Sequence, residues 1–436
     1  MTSSPAVPAP SYRALLDVPS LWRVLLGMTI ARVGGVMVGI VMVLFTLTHY
    51  GSPVLAGAVT FASIMPGLLV SPIAGALLDR HGRAKLVILD YIVGATSMWL
   101  IGALALADAL PPSLLLLIAA ASSLTLPFSV SGLRSLLPLL VPPPLWERAN
   151  AVDSNGYVIA TLIGPPVAGG LVAVVGGAWA IIVIGAVFAV SALVLVRIPD
   201  PATAATSTGN LLLDAWQGLT YTVRNPTLRA LAVSISTANL GGGLSQIIIP
   251  VIVLDRLGLG PAAVGVAWAV MGVTGMIAAL IVGRMDSRGH EKQLMVWPQL
   301  AMAGAAALLL LVAGPGPIDP VVGLAIVIVS LGLIGLLNGP IDIGLFTIRQ
   351  RRTDPAWMGR AFAVSMSLNF LGFPIGSALG GSLVETSLAI AIGVAVVSSL
   401  AAAAFTGWLL PATDPDAVSV ESAHLERLRE PAPERD

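Results

Sequence analysis

Long apolar stretches separated by charged residues dominate the chain. A helix that crosses a bilayer needs roughly 20 mostly apolar residues, and each of eleven gaps between charged residues is long enough for at least one such helix. The gap at 154–196 is about twice as long as one span, and Gly176-Gly177 near its middle favours a turn. The pattern therefore predicts twelve transmembrane helices. The gaps are 33–50, 51–78, 91–107, 109–133, 154–196, 230–254, 257–283, 293–318, 320–341, 361–384 and 386–413.

These predicted spans fall into two groups of six, which gives an all-α membrane protein with two six-helix bundles at 21–197 and 226–411. Residues 1–20 form the predicted amino-terminal segment, which lacks the features of a cleavable signal. The linker at 198–225 contains apolar residues at helical spacing from Leu212 to Val223, which predicts an amphipathic helix on the membrane surface. The charged tail at 412–436 is predicted to be disordered.

Composition agrees with a lipid-exposed surface. Hydrophobic residues make up 56% of the chain and charged residues only 10%, whereas soluble domains contain about 25% charged residues. The net charge of zero argues against a nucleic-acid partner. Cysteine is absent, and the four histidines lack the spacing of a metal site on a helix, so neither a bound metal nor a cofactor is expected.

The distribution of basic residues predicts the orientation. Cytoplasmic loops are enriched in Lys and Arg, and an inward amino terminus places all but three of the 22 basic residues in the cytoplasm. Arg256 lies outside, while Arg32 and Arg134 fall within predicted spans. The prediction is a monomer in the inner membrane with both termini in the cytoplasm.

The two halves carry related sequences. ARVGG at 31–35 matches ANLGG at 238–242, and DRHG at 79–82 matches DSRG at 286–289, both at an offset of 207. RANAV at 148–152 matches RAFAV at 360–364 at an offset of 212, because the preceding loop is longer. Transporters are commonly built from such repeated bundles, with the substrate path at their interface. The repeat therefore predicts pseudo-symmetric halves around a transport path.

Residues 75–85, GALLDRHGRAK, closely resemble the signature loop between the second and third helices of the major facilitator superfamily. Residues 164–170, GPPVAGG, are similar to the antiporter motif of its exporters, with Ala168 in place of the first paired glycine. The segments at 149–151, 225–229, 359–360 and 373–376 resemble the branch that contains macrolide efflux proteins and the enterobactin exporter. This resemblance implies export of a small amphipathic molecule in exchange for protons, by alternating access.

The resemblance also implies roles for the signature-loop residues. Gly75 permits close helix packing and Gly82 permits the turn after the second span. In the family, the carboxylate equivalent to Asp79 caps the amino end of the eleventh helix, where the helix dipole attracts an anion. That end lies near Gly359 and Arg360 in this chain, and the contact would latch the halves on the cytoplasmic side. The alternative is that Asp79, Arg80, Arg83 and Lys85 only determine topology.

The antiporter-like residues also have two interpretations. Proline removes a helical hydrogen bond and bends a helix, and glycine lets a neighbouring helix approach closely. The pair Gly164-Pro165 is therefore predicted to provide a bend used in alternating access. The alternative is that Gly164, Pro165, Gly169 and Gly170 serve only helix packing.

Charged groups at membrane depth cost about 2.5–3.5 kcal/mol each and are usually functional. Four qualify here: Arg32, Arg134, Asp153 and Asp342. Arg134 and Asp342 differ by 208, close to the repeat offset, so they are predicted to face each other on spans 4 and 10. A carboxylate released from such a pair would accept a proton readily in a low-dielectric cavity. Asp342 is the first candidate for proton coupling. The alternatives are that Asp342 forms a static salt bridge or is only an interfacial charge, or that Asp153 or Asp90 carries the proton.

Polar side chains within spans are predicted to face a central cavity, because an amide that faces lipid would lack hydrogen bonds. Arg32 aligns with Asn239 of the other repeat and could contact an anionic substrate group or hold a carboxylate in place. The sequence contains no phosphate-binding glycine loop with lysine, so an ATPase is not predicted. No Ser/His/Asp arrangement falls at one membrane depth, so no enzyme is predicted. A facilitator, an importer or a non-transporting receptor are the alternatives to an exporter. The further amides predicted to face the cavity are Gln246, Asn338 and Asn369.

Overall fold

The computed structural model describes residues 13–142, 145–196, 198, 211–284, 289–353 and 358–411. Twelve helical stretches in these ranges are long and apolar enough to cross a membrane, as the sequence predicts. We number them as spans 1 to 12: Leu21–Tyr50, Pro53–Ala74, Arg83–Leu106, Pro112–Gly132, Arg148–Val175, Gly177–Leu195, Pro226–Arg256, Pro261–Val282, Glu291–Ala313, Pro320–Arg351, Val364–Thr386 and Leu388–Leu409.

Several spans consist of two helical segments. Spans 2 and 4 each break near their middle, and span 7 ends in a π-helical turn at Ile252–Arg256. The helices of the divided spans are Pro53–Ala62 and Met65–His81, Pro112–Ser123 and Leu126–Leu140, Pro226–Val251, Glu291–Ala307 and Leu310–Ala313, and Met358–Phe370 and Gly372–Thr386. Span 5 belongs to helix Trp146–Val175, and the linker contains helix Leu211–Arg224.

Glycines end two of the helices at the turns that the sequence marks. Gly82 lies between spans 2 and 3 with φ of +94°, and Gly176 lies between spans 5 and 6 with φ of +81°. L-residues with a Cβ rarely adopt such angles. The second turn divides the double-length apolar stretch at 154–196 into two spans.

Packing between spans follows the internal repeat. In the first half, span 1 packs against spans 5 and 6, and span 3 packs against span 6. In the second half, span 7 packs against spans 11 and 12, and span 9 packs against span 12. Between the halves, span 2 contacts span 11 and span 8 contacts span 5. Each of these contacts therefore has an equivalent: if every span is replaced by its counterpart in the other half, the same set of contacting pairs results. This is the arrangement of two pseudo-symmetric six-helix bundles.

The limits of two spans differ from those that the charged residues suggest. Span 3 begins at Arg83, so Asp90 lies inside it, although the sequence pattern begins the apolar stretch at Tyr91. Span 10 continues to Arg351, so Arg349 lies within a helix and is fully buried, not in a cytoplasmic loop. Asp90 and Asp342, the charged residues that bound the two apolar stretches, thus both lie within helices.

Candidate transport site

A cavity of about 340 Å³ lies within the amino-terminal bundle, where all six of its spans contribute to the lining. Its walls are mostly apolar and include the methionines and the phenylalanine Met28, Met42, Met98 and Phe188. The polar part of the lining contains Arg32, Asp90, Tyr91 and Tyr157. The bundle thus brings charged groups from spans 1 and 3 to one cavity.

Arg32 forms an ion pair with Asp153 across spans 1 and 5. Its Nη2 donates to Asp153 Oδ1 at 2.7 Å, and its Nη1 donates to the Asp153 carbonyl at 2.8 Å. The guanidinium lies 3.7 Å from the centre of the Tyr157 ring, a cation–π contact. The side chains are only 14% and 7% exposed. The sequence leaves two roles open for Arg32, contact with an anionic substrate group or with a carboxylate of the protein. In this structure its guanidinium contacts the Asp153 carboxylate.

Gly156 makes room for this ion pair. A Cβ at this position would lie 2.9 Å from Arg32 Nη1 and 2.8 Å from Thr29 Oγ1. The absence of a side chain therefore lets span 1 approach span 5 closely enough for the guanidinium to reach Asp153.

Asp90 supplies a second carboxylate to the cavity from span 3. It is buried and accepts a hydrogen bond from Thr125 Oγ1 at 2.6 Å. Thr125 lies at the break in span 4, and its hydroxyl also contacts the Ser122 carbonyl at 3.1 Å. The sequence signal that locates Asp90 is Gly82, because span 3 begins directly after this turn and Asp90 then falls two helical turns inside the span.

Asn239 and Asn369, two of the predicted cavity amides, join helices within the second bundle. Asn239 Nδ2 donates to the Asn369 carbonyl at 2.9 Å, which links spans 7 and 11. The Asn369 carboxamide accepts from the Arg349 guanidinium and donates to the Ser365 carbonyl at 3.0 Å. Asn369 is buried and is absent from the described lining of the cavity in the amino-terminal bundle, so its place at a central cavity stays a prediction.

Gln246 connects the two halves. Its Nε2 donates to the Gly39 carbonyl at 2.8 Å, which joins span 7 to span 1. The two residues differ by 207, the offset of the sequence repeat. They therefore occupy the same position in the two copies, at the point where the central helices of the bundles meet.

The antiporter-like motif lies where span 5 crosses span 8. A Cβ at Gly169 would lie 2.6 Å from the Pro261 carbonyl oxygen and 2.9 Å from Gly265 Cα, while a Cβ at Gly170 would have no heavy atom within 4 Å. A Cβ at Gly164 would lie 2.7 Å from Val36 Cγ1. Helix Trp146–Val175 continues through Pro165 without a break. Gly164 and Gly169 thus take part in close helix packing, and Gly170 does not.

Five of the remaining predicted residues lie outside the described side chains. They are the gate residues Gly75, Asp79, Gly359 and Arg360, and Arg134 of span 4. Arg80 and Asp342 are exposed, whereas Arg83 and Asn338 are partly buried. Within the described part of the chain, Asp342 makes no hydrogen bond or ion pair. The cytoplasmic latch and the pairing of Arg134 with Asp342 stay predictions.

Comparison with known proteins identifies the family. Residues 24–376 match the family model described as Major Facilitator Superfamily. The uncharacterized MFS-type transporter y4rN of Sinorhizobium fredii (strain NBRC 101917 / NGR234) is 38% identical over 410 residues, which cover 93% of this chain and 98% of that protein. Macrolide efflux protein A of Streptococcus pyogenes is 23% identical over 354 residues, which cover 80% and 85% of the two chains.

Solved structures agree on the fold. A bacterial homologue of the iron transporter ferroportin in an inward-facing state matches with a TM-score of 0.66 at 17% identity, over 90% of this chain and 98% of that chain. The match to macrolide efflux protein A also confirms the resemblance seen in the sequence motifs. The chain therefore belongs to the major facilitator superfamily and is a multi-pass membrane transporter, not an enzyme.

Proposed function

We propose that the protein exports a small amphipathic compound across the inner membrane in exchange for protons, by alternating access, as a monomer with both termini in the cytoplasm. The observation that carries this proposal is the cavity of about 340 Å³ in the amino-terminal bundle, which combines apolar walls with the Asp90 carboxylate. Small-molecule sites are typically apolar pockets with a few polar groups. The similarity to macrolide efflux protein A supports export over import.

The structure favours Asp90 over the other carboxylates as the proton carrier. Asp153 is held by the Arg32 guanidinium at 2.7 Å, so protonating it would require that ion pair to break. Asp90 is buried beside the cavity, and its hydrogen-bond partner Thr125 is uncharged. Asp342 stays the second candidate, because it lies within span 10 but outside the described lining of this cavity. A proton on the Asp90 carboxylate would convert it to a neutral carboxyl while the cavity is open to one side.

Dye accumulation in cells with and without the protein tests the proposal. The probes are ethidium, which is a cation, and Nile red, which is neutral, each measured with and without a protonophore. We expect the protein to lower the accumulation of at least one dye, and the protonophore to abolish that difference. Increased accumulation that does not respond to the protonophore would indicate a facilitator and contradict the proposal.

Replacing the two candidate carboxylates separately identifies the proton carrier. We expect Asp90→Asn to remove the protonophore-sensitive export while the protein still reaches the membrane, because an amide cannot take up the proton. Asp342→Asn is expected to retain it. Immunoblots of membrane fractions establish equal amounts of each variant. Proton-driven export that survives in Asp90→Asn but is lost in Asp342→Asn would assign the carrier to span 10 instead.

A further inference from the structure

We infer that the Glu385 carboxylate is a latch that holds the two halves together at the outer ends of spans 2 and 11. Glu385 lies one residue before the end of span 11, and its Oε1 accepts a hydrogen bond at 3.4 Å from the backbone N–H of Val54, at the start of span 2. This inference rests on the proposed alternating access, and it names a residue that sets the balance between the two orientations of the cavity.

The amino end of span 2 needs an acceptor from outside its own helix. The first N–H groups of an α-helix have no acceptor within the helix, and helix Pro53–Ala62 begins with a proline, which has no N–H. The Ser52 hydroxyl accepts from the Leu55 N–H at 3.2 Å. The Val54 N–H between them is bonded to the other half, through Glu385. A carboxylate at this place is also attracted by the helix dipole.

Two glycines let the outer ends of the spans approach closely enough for this contact. A Cβ at Gly381, one helical turn before Glu385, would lie 2.9 Å from Val54 Cα. A Cβ at Gly57, one turn after Val54, would lie 3.1 Å from the carbonyl carbon of Ser377. The backbones of spans 2 and 11 are therefore in contact along the turns that carry the hydrogen bond. The halves cannot separate on this side without breaking it.

The cytoplasmic latch predicted from the sequence joins the same two spans at their opposite ends. There Asp79, just after span 2, is predicted to cap the amino end of span 11, whereas here Glu385 of span 11 caps the amino end of span 2. The two spans run in opposite directions, so each places its own carboxylate beside the amino end of the other. Rocking of the halves would then exchange one contact for the other, and the strength of each contact shifts the populations of the two states.

The test measures how often the cavity opens to the outside. The chain has no cysteine, so Met42→Cys supplies a single thiol in the cavity lining, at a side chain that is 3% exposed. A membrane-impermeant maleimide added to intact cells labels this thiol in proportion to the population that is open outward. We expect Glu385→Ala to raise the labelling rate about two- to fivefold, the effect of losing a carboxylate at an exposed helix amino end. Glu385→Gln, which removes only the charge, should raise it as well.

Ser52→Ala is the matched control, because it removes a cap of the same helix end that comes from the same half. It weakens the start of the helix without touching the contact between the halves, so the labelling rate should stay unchanged.

A second variant tests the contact through its packing. The Cβ of Gly381→Ala would press against backbone atoms of span 2, so we expect this variant to raise the labelling rate too. Gly393→Ala is its control, because a Cβ at Gly393 would have no heavy atom within 4 Å and should leave the rate unchanged.

Three results would overturn the inference: equal labelling rates in the wild type and Glu385→Ala, a rise in Ser52→Ala as large as that in Glu385→Ala, or an unchanged rate in Gly381→Ala. The last comparison gives a decision even if Glu385→Ala does not reach the membrane. Labelling needs neither a substrate nor a proton gradient, whereas the proposed function is tested by protonophore-sensitive dye export, so the two failures are distinguishable.

Discussion

Replacing Gly169 with alanine is expected to abolish transport, while the same substitution at Gly170 leaves most of it. The three atoms nearest to a Cβ at Gly169 are backbone atoms of span 8, among them the Pro261 oxygen at 2.6 Å and Gly265 Cα at 2.9 Å. Backbone atoms cannot move aside as a side chain can, so spans 5 and 8 must separate. Overpacking of this kind costs about 1–3 kcal/mol, and here it falls on a contact between the two bundles.

Gly170 is the matched control, because it is the next residue of the same helix and its Cβ would meet nothing within 4 Å. Any effect of alanine on helix propensity is therefore common to both variants. Dye export and thermal unfolding in detergent provide the two measurements. Gly265→Ala should behave like Gly169→Ala, because its Cβ would lie 2.5 Å from the Pro165 oxygen. Equal effects of Gly169→Ala and Gly170→Ala on export would refute the interpretation.

Removing either partner of the Arg32–Asp153 ion pair is expected to destabilise the amino-terminal bundle strongly. Arg32→Leu leaves a carboxylate buried, and Asp153→Leu leaves a guanidinium buried. Removing one partner of a buried pair costs about 3–5 kcal/mol, whereas replacing both by apolar residues costs much less. The double variant should therefore be more stable than either single variant.

The measurement is a double-mutant cycle on the free energy of unfolding in mixed micelles, which isolates the pairwise interaction. Arg32 and Asp153 are joined by two hydrogen bonds of 2.7 and 2.8 Å, so the coupling energy should be large. Simple addition of the two single effects would show that the pair contributes little, and would return Arg32 to its other candidate role, contact with an anionic group of the substrate.

The number of spans could be predicted from the sequence because lipid requires each crossing to be a long apolar helix. The limits of the spans could not be predicted from charged residues alone. Asp90 and Arg349 both lie inside helices and are buried by their neighbours, yet both fall outside the apolar stretches at 91–107 and 320–341. A buried charge is tolerated where another helix supplies its partners, and the apolar pattern of a single helix does not contain that information.

The candidate site depends on contacts between residues that are distant in the sequence. Arg32 and Asp153 are 121 residues apart, and Asp90 and Thr125 are 35 apart. The sequence placed Arg32 at membrane depth and left its partner open between a substrate and a carboxylate. The partner is Asp153 because span 5 packs closely against span 1 at Gly156. The offset between the repeats does not reveal this packing. Asn369 shows that an amide inside a span can also bond to a buried arginine of another span, a contact that the sequence does not reveal.

The contact between Gln246 and Gly39 has a consequence for how the two copies of the repeat can differ. Equivalent positions of related bundles coincide only near the axis that relates them, and there one volume must serve both copies. Two glutamine side chains would compete for that volume, and two glycines would leave span 7 without its donor to span 1. A Cβ at Gly39 would already contact Gln246 Nε2 at 3.7 Å, so a glycine in one half leaves room for the long amide of the other.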